Sequence, residues 1–437
     1  MARVVRTLFL RLGQVDQGAT VWREASRPMS TATAAGASGA DGLVDSMLEY
    51  VRTNCKGQHD MAMDVLQTGL SAATGSGKSR LLLTMSETEA DRSNWAAAAD
   101  LTKEAFAEGR GSLEAGDLAL LGRQHTLALL AQVGQEVVAQ AAAESSLQAV
   151  EELAGGGASP QSAAARSTAA LARICHQSAA AAAGGLDSRA MAAMPDELSG
   201  GDRVLASGGL AQWYGWHDAS VVMLAEGSTS EAQAMLSAAA EAATEEEVGI
   251  ASAGMNREVA ADIALCQAQL WMRRKDWDAA EEALARALSL AEAVSGEGHP
   301  RVAAPLVLLA DCCARTQRLT LAEGLYRRCL QMLGLAVSAG QGAFAHKKLP
   351  VHPSLGAMAC WRYSQMLAVM PKRGQETEEC GAKARRLWDD SGVSAPLEDV
   401  LGGQEALKGT VSLGGGAVVH LQTRRLIPCL SEQGTGE

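Results

Sequence analysis

The stretch AATGSGKS, residues 72–79, has the residue types that could most directly support a reaction. It satisfies a relaxed phosphate-loop pattern, with Ala72 in place of the first glycine. In such a loop Lys78 would bind a phosphate group and the Ser79 hydroxyl would bind magnesium. The apolar run that ends in Asp311 would then supply a magnesium-binding carboxylate. On residue types alone, the chain is a candidate nucleotide-binding protein.

The elements around these residues do not favour that chemistry. A phosphate loop needs a buried β-strand before it and a helix after it, so that the loop amides converge on the phosphates. Residues 60–72 instead have helical spacing of apolar residues, and Asp311 falls within a helical repeat described below. We therefore expect residues 72–79 to be a turn between two helices, with Ser79 capping the second helix. Nucleotide binding through Lys78 and Ser79 is the alternative function.

Neither the nine cysteines nor the eight histidines show the spacing of a catalytic or metal site. The cysteines form no C-x-x-C pair, so we expect reduced thiols. The histidines form no H-x-x-x-H or Glu-x-x-His arrangement, and we expect His299 and His352, each followed by proline, to flank helix starts. The chain lacks a G-x-S-x-G elbow, and the acidic run at 245–247 is best interpreted as a solvated helix end. We predict no catalytic residue, no metal, no cofactor and no enzyme activity.

The composition limits which fold classes and which kinds of partner we expect. The chain has 437 residues, a formal charge of −12 and only 3% aromatic residues, and about a fifth of it is alanine. This mixture lacks the β-branched and aromatic residues that a large sheet needs, so we expect an all-α fold. Binding nucleic acid requires clustered Lys and Arg, and the acidic balance argues against it, including RNA binding by a helical-repeat array. The sequence has no run of 18 uncharged apolar residues, so we expect no membrane span.

Residues 1–29 form a basic, amphipathic segment with five arginines and two acidic residues. This composition is typical of a mitochondrial presequence, and Arg27-Pro28-Met29-Ser30 matches the pattern of a processing site. We expect the mitochondrial matrix as the location, with the chloroplast and the cytoplasm as alternatives. Removal of this segment would leave a mature charge of −15.

The rest of the chain divides by pattern. We expect a linker over 30–41, a helical region with degenerate repeats over 42–153, and an Ala-rich helix with Gly/Ser/Pro-rich loops over 154–209. The clearest helical repeats lie within 210–390. The Gly-rich tail over 391–437 is predicted to be partly disordered, with a short strand pair around VSL and AVVHL.

Two segments of the chain superpose with a shift of 42 residues, one starting at Asp262 and the next at Ala304. Ala268 aligns with Ala310, and Ala280 aligns with Ala322. Small residues at these positions allow two antiparallel helices to approach closely, while large residues fill the space above and below. Each segment is therefore predicted to be a helical hairpin that needs stacked neighbours to bury its apolar faces.

This pattern resembles the tetratricopeptide repeat, and the 42-residue period with His-Pro opening a unit is similar to the kinesin-light-chain type of that family. The resemblance is clearest over 260–333 and weaker over 352–388 and 80–107, where Asn94-Trp95 aligns with Asp276-Trp277. Gln267 and Glu281 depart from the family pattern. The resemblance implies a solenoid of stacked helical hairpins, with a generic Ala-rich helical bundle as the alternative.

Such solenoids bind segments of other proteins in a concave groove lined by the first helix of each hairpin. We therefore expect a protein-interaction scaffold or assembly factor. The sequence does not indicate its oligomeric state. Leu265 and Gln269 stand where members of the family that bind chaperone tails have a Lys and an Asn, so we do not expect a chaperone adaptor. Arg273 and Arg315 would instead suit a partner segment that carries a carboxylate. The expected groove residues are Leu265, Gln269, Met272, Arg273, Val307, Asp311, Ala314 and Arg315.

Overall fold

A computed structural model describes residues 39–55, 57–109, 111–155, 159–180, 207–244, 253–335, 349–404 and 416–429. Over these residues the chain forms sixteen α-helices, one short 3-10 helix and one two-stranded sheet. None of the described helices is long and apolar enough to cross a membrane. The predicted presequence, most of the linker, residues 181–206 of the Gly/Ser/Pro-rich region and the acidic run at 245–247 lie outside the described residues.

The helices follow one another as antiparallel neighbours. The first eight are α1 Gly39–Asn54, α2 His59–Leu70, α3 Gly75–Asp91, α4 Trp95–Gly109, α5 Ala115–Leu130, α6 Glu136–Leu153, α7 Pro160–Ala180 and α8 Ser207–Glu226. The others are α9 Thr229–Thr244, α10 Ala253–Arg273, α11 Trp277–Ser295, α12 Ala303–Arg315, α13 Leu319–Met332, α14 Pro353–Ala368, α15 Gly374–Asp389 and α16 Leu397–Leu401. A 3-10 turn, Pro300–Val302, precedes α12. The predicted all-α solenoid of helical hairpins is confirmed.

One turn geometry recurs between the two helices of a hairpin. Ser93, Lys275 and Gln317 each have positive φ, near 60°, and each directly precedes the residue before a second helix. In all three turns the next backbone N–H donates to a carbonyl five residues earlier, with distances of 2.8, 3.0 and 2.9 Å for Asn94, Asp276 and Arg318. This is the hydrogen bond that closes a helix whose last residue is left-handed. The hairpin of α3 and α4 therefore shares its turn with the two clear repeats, as the Asn94-Trp95 alignment predicts.

Small residues lie where the paired helices cross. Ala268 of α10 and Ala280 of α11 have no exposed surface, and neither do Ala310 of α12 and Ala322 of α13. The larger apolar side chains of these helices surround the alanines in one continuous core cluster. This is the packing that the aligned alanines predict.

The two His-Pro dipeptides cap helix starts. His299 Nδ1 accepts the backbone N–H of Arg301 at 3.2 Å, and His352 Nδ1 accepts that of Ser354 at 3.3 Å. Each ring thereby satisfies a free N–H in the first turn, and the following proline lacks one. The expected structural role of these histidines is confirmed.

Residues 416–429 of the tail form a β-hairpin inside the solenoid. Strand β1, Ala417–His420, pairs antiparallel with β2, Arg425–Pro428. The AVVHL strand forms as predicted, but its partner here is the strand that follows it, and residues 411–413 lie outside the described range. Seven of the eight residues in the two strands are buried, so both faces of the hairpin are covered, while partial disorder elsewhere in the tail stays a prediction.

The hairpin joins two apolar cores. Val418 and its pair Ile427 belong to the core of the middle helices, from α4 to α10. Val419 and its pair Leu426 belong to the core of the last repeats, from α10 to α16. Because successive strand residues face opposite sides, two of these four apolar residues pack into each core. The hairpin therefore occupies the interior of the solenoid.

Candidate functional site

The phosphate-loop candidate has no nucleotide-binding geometry. Residues 59–70 form helix α2, and α3 begins at Gly75, so no strand precedes the loop. Lys78 Nζ lies 2.6 Å from a carboxylate oxygen of Glu108, and the Ser79 hydroxyl donates to the Ala105 carbonyl at 2.9 Å. Ser79 lies within α3 and does not cap it, which corrects our expectation. These residues fasten α3 to α4.

The predicted groove residues face the interior, but they are covered by the chain itself. Leu265, Met272, Val307, Asp311 and Ala314 each expose 3% of their surface or less. The predicted groove over α10 and α12 is therefore not open in this conformation. Whether any of these residues binds a partner stays a prediction.

Gln269 shows what covers this surface. Its Nε2 donates to the carbonyl of Val419 at 3.0 Å, and its Oε1 accepts the Val419 N–H at 2.6 Å. One side-chain amide thus pairs with both main-chain groups of a residue in β1. Such a pair reads an extended backbone without reading its side chain. The first helix of this repeat therefore binds an extended segment, supplied by the chain's own tail.

The two arginines expected to meet a partner carboxylate are already engaged. Arg273 donates to the carbonyl of Leu224 in α8, and its second Nη lies 2.7 Å from the sulfur of Cys429. Arg315 Nε lies 3.3 Å from the buried carboxylate of Asp311. Neither arginine is therefore free to bind the carboxylate of a partner in this conformation.

Two consecutive arginines of the tail donate hydrogen bonds to carbonyls at the C-termini of helices. Arg424 is fully buried and donates to the carbonyls of Ala90 and Asp91, the last residues of α3, at 3.2 and 3.1 Å. Arg425 is also fully buried and donates to the carbonyl of Leu130, the last residue of α5, at 3.0 Å. These carbonyls lack helical partners and carry the negative end of the helix dipole. Burial lowers the pKa of Arg424 to about 9, and the nearby Arg301 adds to that effect.

A second buried network surrounds Asp218 of α8. Arg123 of α5 donates to both carboxylate oxygens, at 2.8 and 2.7 Å, and His217 Nδ1 lies 3.0 Å from one of them. Burial by itself raises the pKa of Asp218, but Arg123 and hydrogen bonds from His217 and His420 hold it well below its usual range. The ligand atoms of His217, Asp218 and His420 lie within 4.8 Å of one another. Because Arg123 donates to both oxygens, Asp218 is held as an ion pair within the protein.

A cleft of about 170 Å³ remains open beside the hairpin. It lies between the first four helices, α5, α8 and the start of the repeat at α10, and Gln422 of the hairpin turn forms one wall. Gln422 is fixed there because it accepts from Arg123 at 2.7 Å and donates to Asp262 at 2.5 Å. The ionisable residues in the lining are Arg52, His59, Glu87, Asp91, Arg123, Tyr214, Glu258 and Arg301.

Charge in this cleft is unevenly compensated. Arg301 lies 3.1 Å from Asp91 and 3.0 Å from Glu258, so one guanidinium serves two carboxylates. Glu87 of α3 has no recorded hydrogen bond or ion pair within the described part of the chain. Burial raises the pKa of Glu87 to about 7; Glu258 and Asp91 add to the rise and Arg52 opposes it. The cleft therefore contains a carboxylate whose charge no close partner neutralises.

A family model described as a tetratricopeptide repeat matches residues 259–333. This range lies within helices α10 to α13 and the turns between them. These hairpins are tetratricopeptide repeats. No curated protein matches the chain.

The repeat turn gives equivalent positions along the array of helical hairpins. Gln269 precedes its left-handed turn residue by six positions, as Asp311 precedes Gln317 and Glu87 precedes Ser93. Glu87 is thus the counterpart, in the hairpin of α3 and α4, of the glutamine that binds the tail. Asp91 is likewise the counterpart of Arg273. The cleft is lined by the same inner face that the hairpin covers farther along the array.

Of the residues predicted for the groove, Gln269 and Arg273 contact the tail hairpin, whereas Glu87, Asp91 and the tail arginines were not predicted. The alignment of Asn94-Trp95 with Asp276-Trp277 already contained the signal for Glu87 and Asp91, because it fixes their position in the first helix. The dipeptide Arg424-Arg425 between two apolar strands was the available signal for the tail.

Proposed function

We propose that this chain is a non-enzymatic scaffold that binds a partner protein in the open cleft, and that it does so in the mitochondrial matrix. Tetratricopeptide repeats generally mediate protein–protein interaction. The observation that carries the proposal is the cleft, since it is a portion of the inner repeat surface that the tail hairpin leaves uncovered. A partner segment enters there beside Gln422.

The pairing of Gln269 with Val419 supports an extended partner segment. The same array already holds one extended strand by its main chain, and Glu87 and Asp91 are in equivalent positions farther along. Where an extended segment is bound through its main chain, the main-chain hydrogen bonds give affinity and neighbouring side-chain pockets give specificity, as in strand addition to a sheet edge. The Arg-rich segment at 1–29 supports the mitochondrial location, with the chloroplast and the cytoplasm as alternatives.

Site-specific photocrosslinking tests the proposal. A photoreactive amino acid replaces Val294, which lines the cleft, and in a matched protein it replaces Ser145, which is exposed on α6. Both proteins are expressed in the native cell, which is fractionated after irradiation. We expect one protein to crosslink at position 294 and not at 145, in the mitochondrial fraction, with the mature N-terminus near Ser30.

The result can fail in two separable ways. Equal crosslinking from positions 294 and 145, or none from 294, would remove the cleft as a partner site. A specific crosslink from an unprocessed protein in the cytoplasm would retain the scaffold and reject the location.

A further inference from the structure

We propose that the cleft takes a cationic side chain, the guanidinium of arginine or the ammonium of lysine, from the partner segment. This inference rests on the proposed function and gives the partner a chemistry. It reverses the expectation from sequence, in which arginines of the groove would meet a carboxylate.

Most charged groups in the lining are already paired, although Arg52 forms no hydrogen bond or ion pair within the described ranges and acts on Glu87 through its charge alone. Arg123 is committed to Asp218 outside the cleft, with two hydrogen bonds of 2.7 and 2.8 Å. Arg301 is shared between Asp91 and Glu258. Glu87 alone among the three lining carboxylates has no recorded partner within the described ranges. A partly buried carboxylate without a partner is costly, and a bound cation would remove that cost.

The same surface already holds guanidinium groups. Arg424 lies 5.1 Å from the ring of Trp95, and Arg123 lies 4.0 Å from the ring of Tyr214. Both aromatic residues also line the cleft. Aromatic faces attract cations, and they do so more strongly where water is excluded. A third cation between these rings and Glu87 would meet the same kind of environment.

The cleft is large enough for the end of one such side chain. The cleft is about 170 Å³, whereas a cavity of about 150 Å³ holds a benzene molecule, which has six non-hydrogen atoms. A guanidinium with a three-carbon stem has about as many atoms, and so does the ammonium end of lysine. The space therefore admits the end of one long side chain while the main chain of the partner stays outside.

The test compares two peptides in calorimetric titrations of the full chain. The first is acetyl-Gly-Ala-Arg-Ala-Gly-amide, and the second replaces Arg by citrulline, which has the same shape without the charge. We expect the arginine peptide to bind at least tenfold more tightly. Glu87→Gln should abolish that difference, whereas Glu378→Gln, at an exposed position on α15, should leave it unchanged.

Each outcome bears on a different claim. Equal affinity of the two peptides, or a difference that survives Glu87→Gln, overturns the cation site. If the partner still crosslinks at position 294 in the Glu87→Gln protein as efficiently as in the wild type, the scaffold stands and the cation site fails. If free propylguanidinium binds and depends on Glu87, but no partner crosslinks, the assignment to a partner's side chain is overturned in favour of a small amine.

Discussion

Glu87→Gln should stabilise the protein at alkaline pH, because the wild-type carboxylate is held without a partner. The pKa of Glu87 is raised from its ordinary value of 4.5 to about 7 in the folded chain. A raised pKa contributes stability that is fully present below pH 4.5 and is lost as pH rises through 7. Glutamine keeps the shape and never carries the charge.

The magnitude follows from the shift in pKa. Each unit corresponds to about 1.4 kcal/mol, so a shift from 4.5 to about 7 gives roughly 3 kcal/mol as an upper limit. The carboxyl group is partly exposed to the cleft, which reduces the effect to about 2 kcal/mol. We therefore expect the variant to gain about 2 kcal/mol at pH 8 and nothing at pH 4.5.

The assay is urea unfolding of both proteins at half-unit steps from pH 4.5 to pH 8.5. Guanidinium chloride must be avoided, because guanidinium is the cation that we expect to bind in the cleft. Glu378→Gln is the control and should change the free energy of unfolding by less than about 0.5 kcal/mol at every pH. A difference between wild type and Glu87→Gln that does not vary with pH would refute the assignment of Glu87 as an uncompensated carboxylate.

Three further predictions test the packing. Arg424→Met should lower the free energy of unfolding by about 3 kcal/mol, because it removes a fully buried guanidinium together with its hydrogen bonds to the carbonyls of Ala90 and Asp91. Arg385→Met, at an exposed arginine, should cost less than about 1 kcal/mol in the same urea titration. Gly122→Ala should destabilise by about 1–3 kcal/mol, because the new Cβ would lie 1.7 Å from the Ser146 hydroxyl. The control Gly324→Ala meets nothing within 4 Å on an exposed helix face and should stabilise by about 1 kcal/mol in thermal melts. Eight of the nine free cysteines are buried, and burial raises the pKa of Cys175 to about 11, so a thiol reagent at pH 8 should label the native protein slowly and all nine thiols in urea.

The sequence predicts the repeats because their information is local. Each hairpin is specified by small residues at the helix crossing and by one left-handed turn residue, all within about 40 residues of each other. Lys275 and Gln317 hold the turn without glycine, which is uncommon for a positive φ. The hydrogen bond from the following N–H compensates for that cost in both turns.

The contents of the groove could not be predicted in the same way. Gln269 and Val419 are separated by 150 residues, and no periodic pattern links a helix of the array to a strand of the tail. The Gly-rich composition around β1 favoured disorder, because glycine-rich segments rarely supply enough apolar surface to fold. Two short strands escape that rule here, since both of their faces are buried against existing cores.

The error about Ser79 has a physical cause as well. A serine after glycines is a good helix cap, but Thr74 is already extended, with φ of −137° and ψ of 161°, so α3 begins one residue later. Ser79 then falls inside the helix and points at α4. Local capping preference was overruled by the contact between the two helices.

The tail arginines and the cleft follow from one property of the array. Each helix ends in carbonyls that lack helical partners. Arg424 satisfies the end of α3, Arg425 the end of α5, and Arg273 the Leu224 carbonyl near the end of α8. Where the tail hairpin covers the inner face, arginine side chains therefore bind the carbonyls at the helix ends. Glu87 lies on that face in α3, one turn before the end that Arg424 occupies, where the cover stops. An extended partner with a basic side chain at this point would continue the arrangement that the tail begins.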